Sequence, residues 1–371
     1  MNELNIKELY KEISVELDSM ILKDEKDELT KMNIRLINRL QKLGINKIIL
    51  TSLGNSIASG YSQNRLVKPL LDRNETLEVI ANKNDIEVKK YSMARAQNNN
   101  DNRIFSWVLN NTSFKEMYDM NVADYSDDIR CGMHNKGNVE LDEVINTEGI
   151  ADVIRKVDSN LANIVVYHGC TGSFLDNVTR KGRHLFKGIK KDHESLTGLL
   201  NYVQNQNRTL GTNTQVYLGG APDILGIKIT SVINHAIKKN AKLYANTSYI
   251  KPVVCNFFYD TGIDFHYDEI EYTKLNKKIM KSISENYAFN MALIDIDRTL
   301  YQVSSQIELS KIKDASLVFE KIEYWFNYLK ENNYDIKQFK KRLIYYIKEN
   351  YPYDFYYIDR KETLNKIKSY R

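Results

Sequence analysis

The residues best equipped for chemistry stand in two short segments about 210 positions apart. The first is Leu53-Gly54-Asn55-Ser56-Ile57-Ala58-Ser59-Gly60, which follows the apolar run Ile45 to Leu50 and precedes a helical stretch. A serine on a strand-to-helix turn exposes its hydroxyl at the sheet edge. Its backbone N–H joins the unpaired donors of a helix start, which can stabilise an oxyanion. The same turn could equally be a tight turn with Ser56 as a helix N-cap. The second segment is Asp264-Phe265-His266-Tyr267-Asp268-Glu269-Ile270-Glu271-Tyr272, followed by Leu275, Ile279 and Ile283 at helical spacing. Asp268 and Glu271 have the spacing of a capping box, which predicts a helix start there and puts His266 just ahead of it. A histidine with a carboxylate two residues earlier has the parts of a general base oriented by an anion, although a histidine at a helix start can also be structural. Brought together, Ser56 would be a nucleophile, His266 its base and Asp264 the orienting group, a set suited to acyl transfer.

Such groups work only if the elements around them hold them in place. The run Ile45 to Leu50 is β-branched and reads as a buried strand, and similar runs recur at 86–91, 162–167, 215–218 and 243–254. Between them lie helical periodicities such as Ile229, Ile233, Ala236 and Ile237 in 227–241. Alternating strands and helices predict a parallel sheet in an α/β fold. Functional loops in such sheets sit at the carboxyl ends of strands, which directs attention to 54–60, 94–100, 168–173 and 219–223. Residues 1–44 read as a helical lead-in closed by Gly44, and about 100–160 as an insertion or lid. From about 288 glycine disappears and tyrosine is dense, with apolar positions Ile322, Trp325, Phe326, Leu329, Phe339, Leu343, Tyr346 and Ile347 in helical period. This predicts a C-terminal helical subdomain, 288–371, whose aromatics pack onto the main domain or grip a protein partner.

Taken jointly, the two segments resemble the SGNH (GDSL-like) hydrolase family, in which a Gly-Asp-Ser-x-x-x-Gly block follows the first strand and an Asp-x-x-His block precedes the last helix. Gly54, Ser56 and Gly60 hold the first pattern, with Asn55 where the family often has Asp. His266 with Tyr272 matches the closing block, while Ile263 stands at the usual aspartate position and Asp264 is its substitute. The resemblance covers roughly 45–287 and implies a three-layer α/β/α sandwich with a parallel sheet of flavodoxin-like kind. It also implies an acyl-serine intermediate and an oxyanion hole. The family's third-block asparagine is missing from Gly169-Cys170-Thr171-Gly172-Ser173, so the implied donors are Thr171, Gly169 and the backbone N–H of Ala96 or Gln97. The implied activity is hydrolysis of a small-molecule, lipid or glycan acyl ester without cofactor or metal. An acyltransferase, or a weakened binding module of the same fold, are the alternatives.

Composition narrows the remaining classes. A net charge of +5 spread through the chain without long single-sign blocks gives no reason to expect a nucleic-acid surface. Three scattered cysteines argue against a disulfide framework and for a reducing compartment. The polar N-terminus and the lack of any long apolar window point to a cytoplasmic protein without transmembrane segments, and the richness in Lys, Asn, Ile and Tyr to an AT-rich bacterial or phage genome. Cys131 with His134, and His168 with Cys170, are thin material for a zinc site. Lys190 to Glu194 reads as a solvated charged turn, and Gly219-Gly220 lacks the spacing of a nucleotide-binding loop; the resemblance to SGNH hydrolases implies that this strand end lines the substrate cleft.

Overall fold

In the computed structural model the described residues are 3–53, 70–93, 154–168, 185–220, 223–224, 228–255, 258–259, 262–263, 267–304, 316–351 and 359–370. Five strands form one parallel sheet: β1 (Lys47–Leu53), β2 (Glu87–Met93), β3 (Leu161–His168), β4 (Gln215–Gly219) and β5 (Thr247–Ile250), in the spatial order β2-β1-β3-β4-β5. β1, β3 and β4 are buried almost throughout, on both faces. That is why they read in the sequence as continuous apolar runs rather than alternating ones.

Helices flank this sheet. They are α1 (Glu3–Gln41), α2 (Glu75–Asn82), α3 (Leu185–Thr209), α4 (Lys228–Leu243) and α5 (Glu269–Ser304), followed by α6 (Ser316–Glu331), α7 (Ile336–Asn350) and α8 (Arg360–Ser369). The end of α1 is written in its own residues. Gly44 takes φ +74°, its N–H bonds the Gln41 carbonyl at 2.9 Å, and the Ile45 N–H bonds that of Leu40 at 3.1 Å. Ile45 and Leu40 are both buried in the same core, which completes a Schellman ending and turns the chain into β1. Burial along α1 is uneven: Leu17 and Ile34 are exposed, while Ile37 and Leu40 near its end are fully buried.

Alternation along the strands assigns one sheet face to a core made by Ile48, Leu50, Ala162, Ile164, Val166, Tyr217 and Ile250, packed against α1 and the first half of α5. Each such fully buried aliphatic side chain is worth roughly 1.5–3 kcal/mol of transfer free energy. A second core begins on the same helix at Ala288 and continues through Phe289, Leu293, Ile296 and Leu300 into α6, α7 and α8. The helix is unbroken where the two cores meet, between Tyr287 and Ala288. All eight apolar positions singled out in 322–347 are buried in this second core.

Residues 190–194 are not a turn but lie inside α3. Lys, Asp, His and Glu are tolerated in a helix, and no Gly or Pro stands between them and the buried Leu196, which with Leu199, Leu200 and Val203 imposes the helical period across Gly198.

Candidate functional site

The strand order determines where a site can form. From β1 the chain passes to β2 on one side, and β3 pairs on the other, which makes the carboxyl ends of β1 and β3 the switch point of the sheet, the place where ligands bind in open α/β sheets. Leu53, the last residue of β1, is in register with Met93 and Tyr167, His168 ends β3 opposite Gly219, and Gly219 is in register with Ile250. Ser56 and Asn55 follow β1 within three residues, Ala96 and Gln97 follow β2 within four, and Gly169 and Thr171 follow β3 within three. Those residues lie outside the described ones, as do Asp264 and His266, Cys131, His134 and Cys170, and nearly all of the 100–160 insertion.

What is described is the frame around them. The segment holding Ser56 re-enters the described structure at Leu70, and the one holding His266 re-enters at Tyr267. These two entry points are tied together. Asn276 Nδ2 on α5 donates to the Leu70 carbonyl at 2.8 Å, Arg73 pairs with Glu269, and the Arg73 guanidinium lies 4.4 Å from the centroid of the Tyr272 ring. Burial holds the Arg73 pKa below its usual value without removing its charge. Tyr267, directly after His266, is fully buried, packs edge-on against Tyr272 at 5.5 Å and donates to the Val253 carbonyl at 3.3 Å. Val253 in turn lies just past the carboxyl end of β5.

The start of α5 is specified locally, as its residues predict. The Glu271 N–H bonds Asp268 Oδ1 at 2.6 Å, and Glu271 Oε2 accepts from the Asp268 N–H at 3.0 Å. This reciprocal capping box starts the helix at a definite residue and fixes the direction of the chain from Tyr267 onward.

The carboxyl edge also carries His168, which the sequence offers only as a companion of Cys170 in a zinc site. His168 is 2 % exposed, and its Nε2 has no hydrogen-bond partner among the described residues. Burial pushes the imidazole pKa down to about 3, so the ring is neutral at ordinary pH. It lies against β4 at a point where only glycine fits: a Cβ on Gly219 would stand 2.7 Å from His168 Nδ1. On Gly220, a Cβ would collide with the Asn234 amide of α4. The pair Gly219-Gly220 therefore admits two polar side chains from opposite sides of the strand end. The only signal for this in the sequence is a histidine ending one buried strand and two glycines ending the next.

Among the described residues no group of three or more His, Cys, Asp or Glu side chains could hold a metal ion, and no helix is long and apolar enough to cross a membrane. Two open grooves occur at the opposite, amino edge. One of about 320 Å³ is bounded by Lys47, Lys89 and Asp158, and one of about 480 Å³ by Asn213, Asp295, Arg298, Lys321 and Tyr324. Neither is lined by a residue from the carboxyl end of a strand.

The chain matches no protein-family model, no curated protein and no solved structure.

Proposed function

We propose that the chain is a serine-dependent acyl-ester hydrolase of SGNH-like kind, with its site in the crevice between the carboxyl ends of β1 and β3. In this reading the helices on the two sides of the sheet form the three-layer sandwich of that fold. Ser56 attacks the acyl carbonyl, His266 takes its proton and returns it to the leaving alcohol, and Asp264 orients the imidazole. The single observation that supports the reading most is the tie between the two candidate segments. The first described residues downstream of each, Leu70 to Arg73 and Tyr267 to Asn276, are joined through Asn276, Arg73 and Tyr272 at the carboxyl edge of a parallel sheet. A nucleophile and base 210 positions apart need such a tie to meet.

Labelling with a fluorophosphonate and turnover of p-nitrophenyl acetate test this directly. Ser56→Ala is expected to abolish labelling and lower turnover at least about 1,000-fold, since removing the nucleophile of such a set leaves only binding and oxyanion contributions. Labelling that survives Ser56→Ala unchanged would remove Ser56 from the reaction.

A further inference from the structure

We propose that the groove between α5, α6 and the loops entering β3 and β4 binds an uncharged planar nitrogen heterocycle of the nucleobase kind, stacked on Tyr324 and read by Asp295 and Arg298. It lies at the amino edge of the sheet, away from the candidate serine site, and shares no residue with it. Its volume of about 480 Å³ falls within the roughly 300–1,000 Å³ of small-molecule sites, and every side chain that bounds it is described.

Three fixed groups line this groove. Arg298 is anchored by Nε, which donates to the Asn207 carbonyl at 2.8 Å, and by Nη2, which donates to the Thr212 carbonyl at 2.7 Å and to Asn213 Oδ1 at 2.9 Å. Its Nη1 donates to nothing among the described residues, and burial lowers its pKa without removing its charge. One turn earlier on α5, Asp295 accepts from Trp325 Nε1 at 3.0 Å and meets the Lys321 ammonium at 3.1 Å, both on Oδ2. Its Oδ1 has no partner among the described residues. Tyr324 is 57 % exposed, and its ring is braced edge-on by Trp325 at 5.3 Å and stacked beside Tyr328 at 6.5 Å.

These groups select the chemistry of the ligand. A carboxylate oxygen only accepts and a guanidinium nitrogen only donates, so the two side by side match a ligand edge that offers an N–H next to an acceptor. Nucleobases carry such an edge on a flat ring, and a flat ring stacks on an exposed tyrosine face. Charge excludes a strongly anionic ligand: the carboxylates of Asp295 and Glu320 offset Arg298 and Lys321 along the lining, which leaves no surplus cation for a phosphate.

Calorimetric titration of the full chain with guanosine tests the site. Saturable binding is expected below about 1 mM, and no binding up to that concentration overturns the proposal. Purine riboside keeps the ring but has no N–H on its base. It is expected to bind at least about 10-fold more weakly than guanosine, and equal affinity overturns the role of Asp295 and Arg298. GMP is expected to bind no better than guanosine, and an affinity about 10-fold higher overturns the uncharged ligand. Tyr324 belongs to neither core, so its replacement spares the fold. Tyr324→Ala should weaken guanosine about 10-fold while Tyr324→Phe binds as the wild type does, and wild-type affinity in Tyr324→Ala overturns the stacking. Asp295→Asn, which still accepts from Trp325, should weaken guanosine about 10-fold and leave purine riboside unchanged; an equal loss for both ligands would make Asp295 structural and overturn its part in recognition.

Discussion

Asp297, on the second half of α5, and His168, on the sheet face covered by its first half, are both 2 % exposed, yet they are treated in opposite ways. Asp297 is saturated. Arg208 of α3 grips it with two bonds, Nε to Oδ2 at 2.8 Å and Nη2 to Oδ1 at 2.9 Å, and the hydroxyls of Tyr346 and Tyr351 each donate to Oδ1 at 2.6 Å. Burial and the neighbouring carboxylate push both tyrosine pKa values well up, and the Asp297 partnership raises that of Arg208. His168 Nε2 has no partner among the described residues. The difference is one of bonding: a buried group with every valence used fastens helices together, while His168 Nε2, like Thr51 Oγ1 and Ser52 Oγ of the same sheet, is held by packing alone among the described residues.

That contrast can be broken at either end. Asp297→Ala leaves the Arg208 guanidinium and two tyrosine hydroxyls without their acceptor, and is expected to cost about 3–5 kcal/mol in urea unfolding. Turnover per folded molecule should stay as in the wild type, and an equal loss of activity in the folded fraction would mean the two regions are not separable. The His168 end is sharpened by pH. Unfolded, this imidazole protonates near 6.5, and folded only near 3, so in that interval the unfolded chain binds the extra proton. Acidification therefore favours unfolding, and the stability is fully present only above the unfolded value. Between pH 6 and 5 the wild type should lose roughly 1 kcal/mol more than His168→Gln, and parallel pH profiles for the two proteins would contradict the buried neutral ring. The smallest effect tests the frame between them: Asp268→Ala should destabilise by about 1 kcal/mol through loss of the N-cap, read as a lower urea midpoint with unchanged slope.

Much of this frame is legible in the sequence. The strands declare themselves because a parallel strand buried on both faces is a compact apolar run, as in Ile48-Ile49-Leu50 and Ile164-Val165-Val166. The ends of α1 and the start of α5 are legible because Gly44 and the Asp268–Glu271 box act within a few residues of themselves. Long-range pairings leave no such trace. Arg208 and Asp297 are 89 positions apart, Asn276 and Leu70 206, and no local pattern marks either as a partner. The charged stretch 190–194 misled because its polarity mimics a turn, whereas helix formation there is decided by leucines several residues on. Of the candidate site, the strand ends that would present it are legible from periodicity and are described. Ser56, His266 and Asp264 rest on motif alone, and His168 reads only as a zinc-site companion of Cys170 because its burial is not legible in the sequence.

The continuity of α5 also governs how the molecule comes apart. One helix supplies side chains to both cores, its first half to the sheet and its second to the helical layer, with no loop between Tyr287 and Ala288 at which either could let go. Opening the helical layer strips the second half of α5 of its partners and frays the helix towards the sheet, so the free energy of each core is felt by the other. The two cores are therefore expected to melt together, and a protease acting on the native chain is expected to cut elsewhere than at this junction.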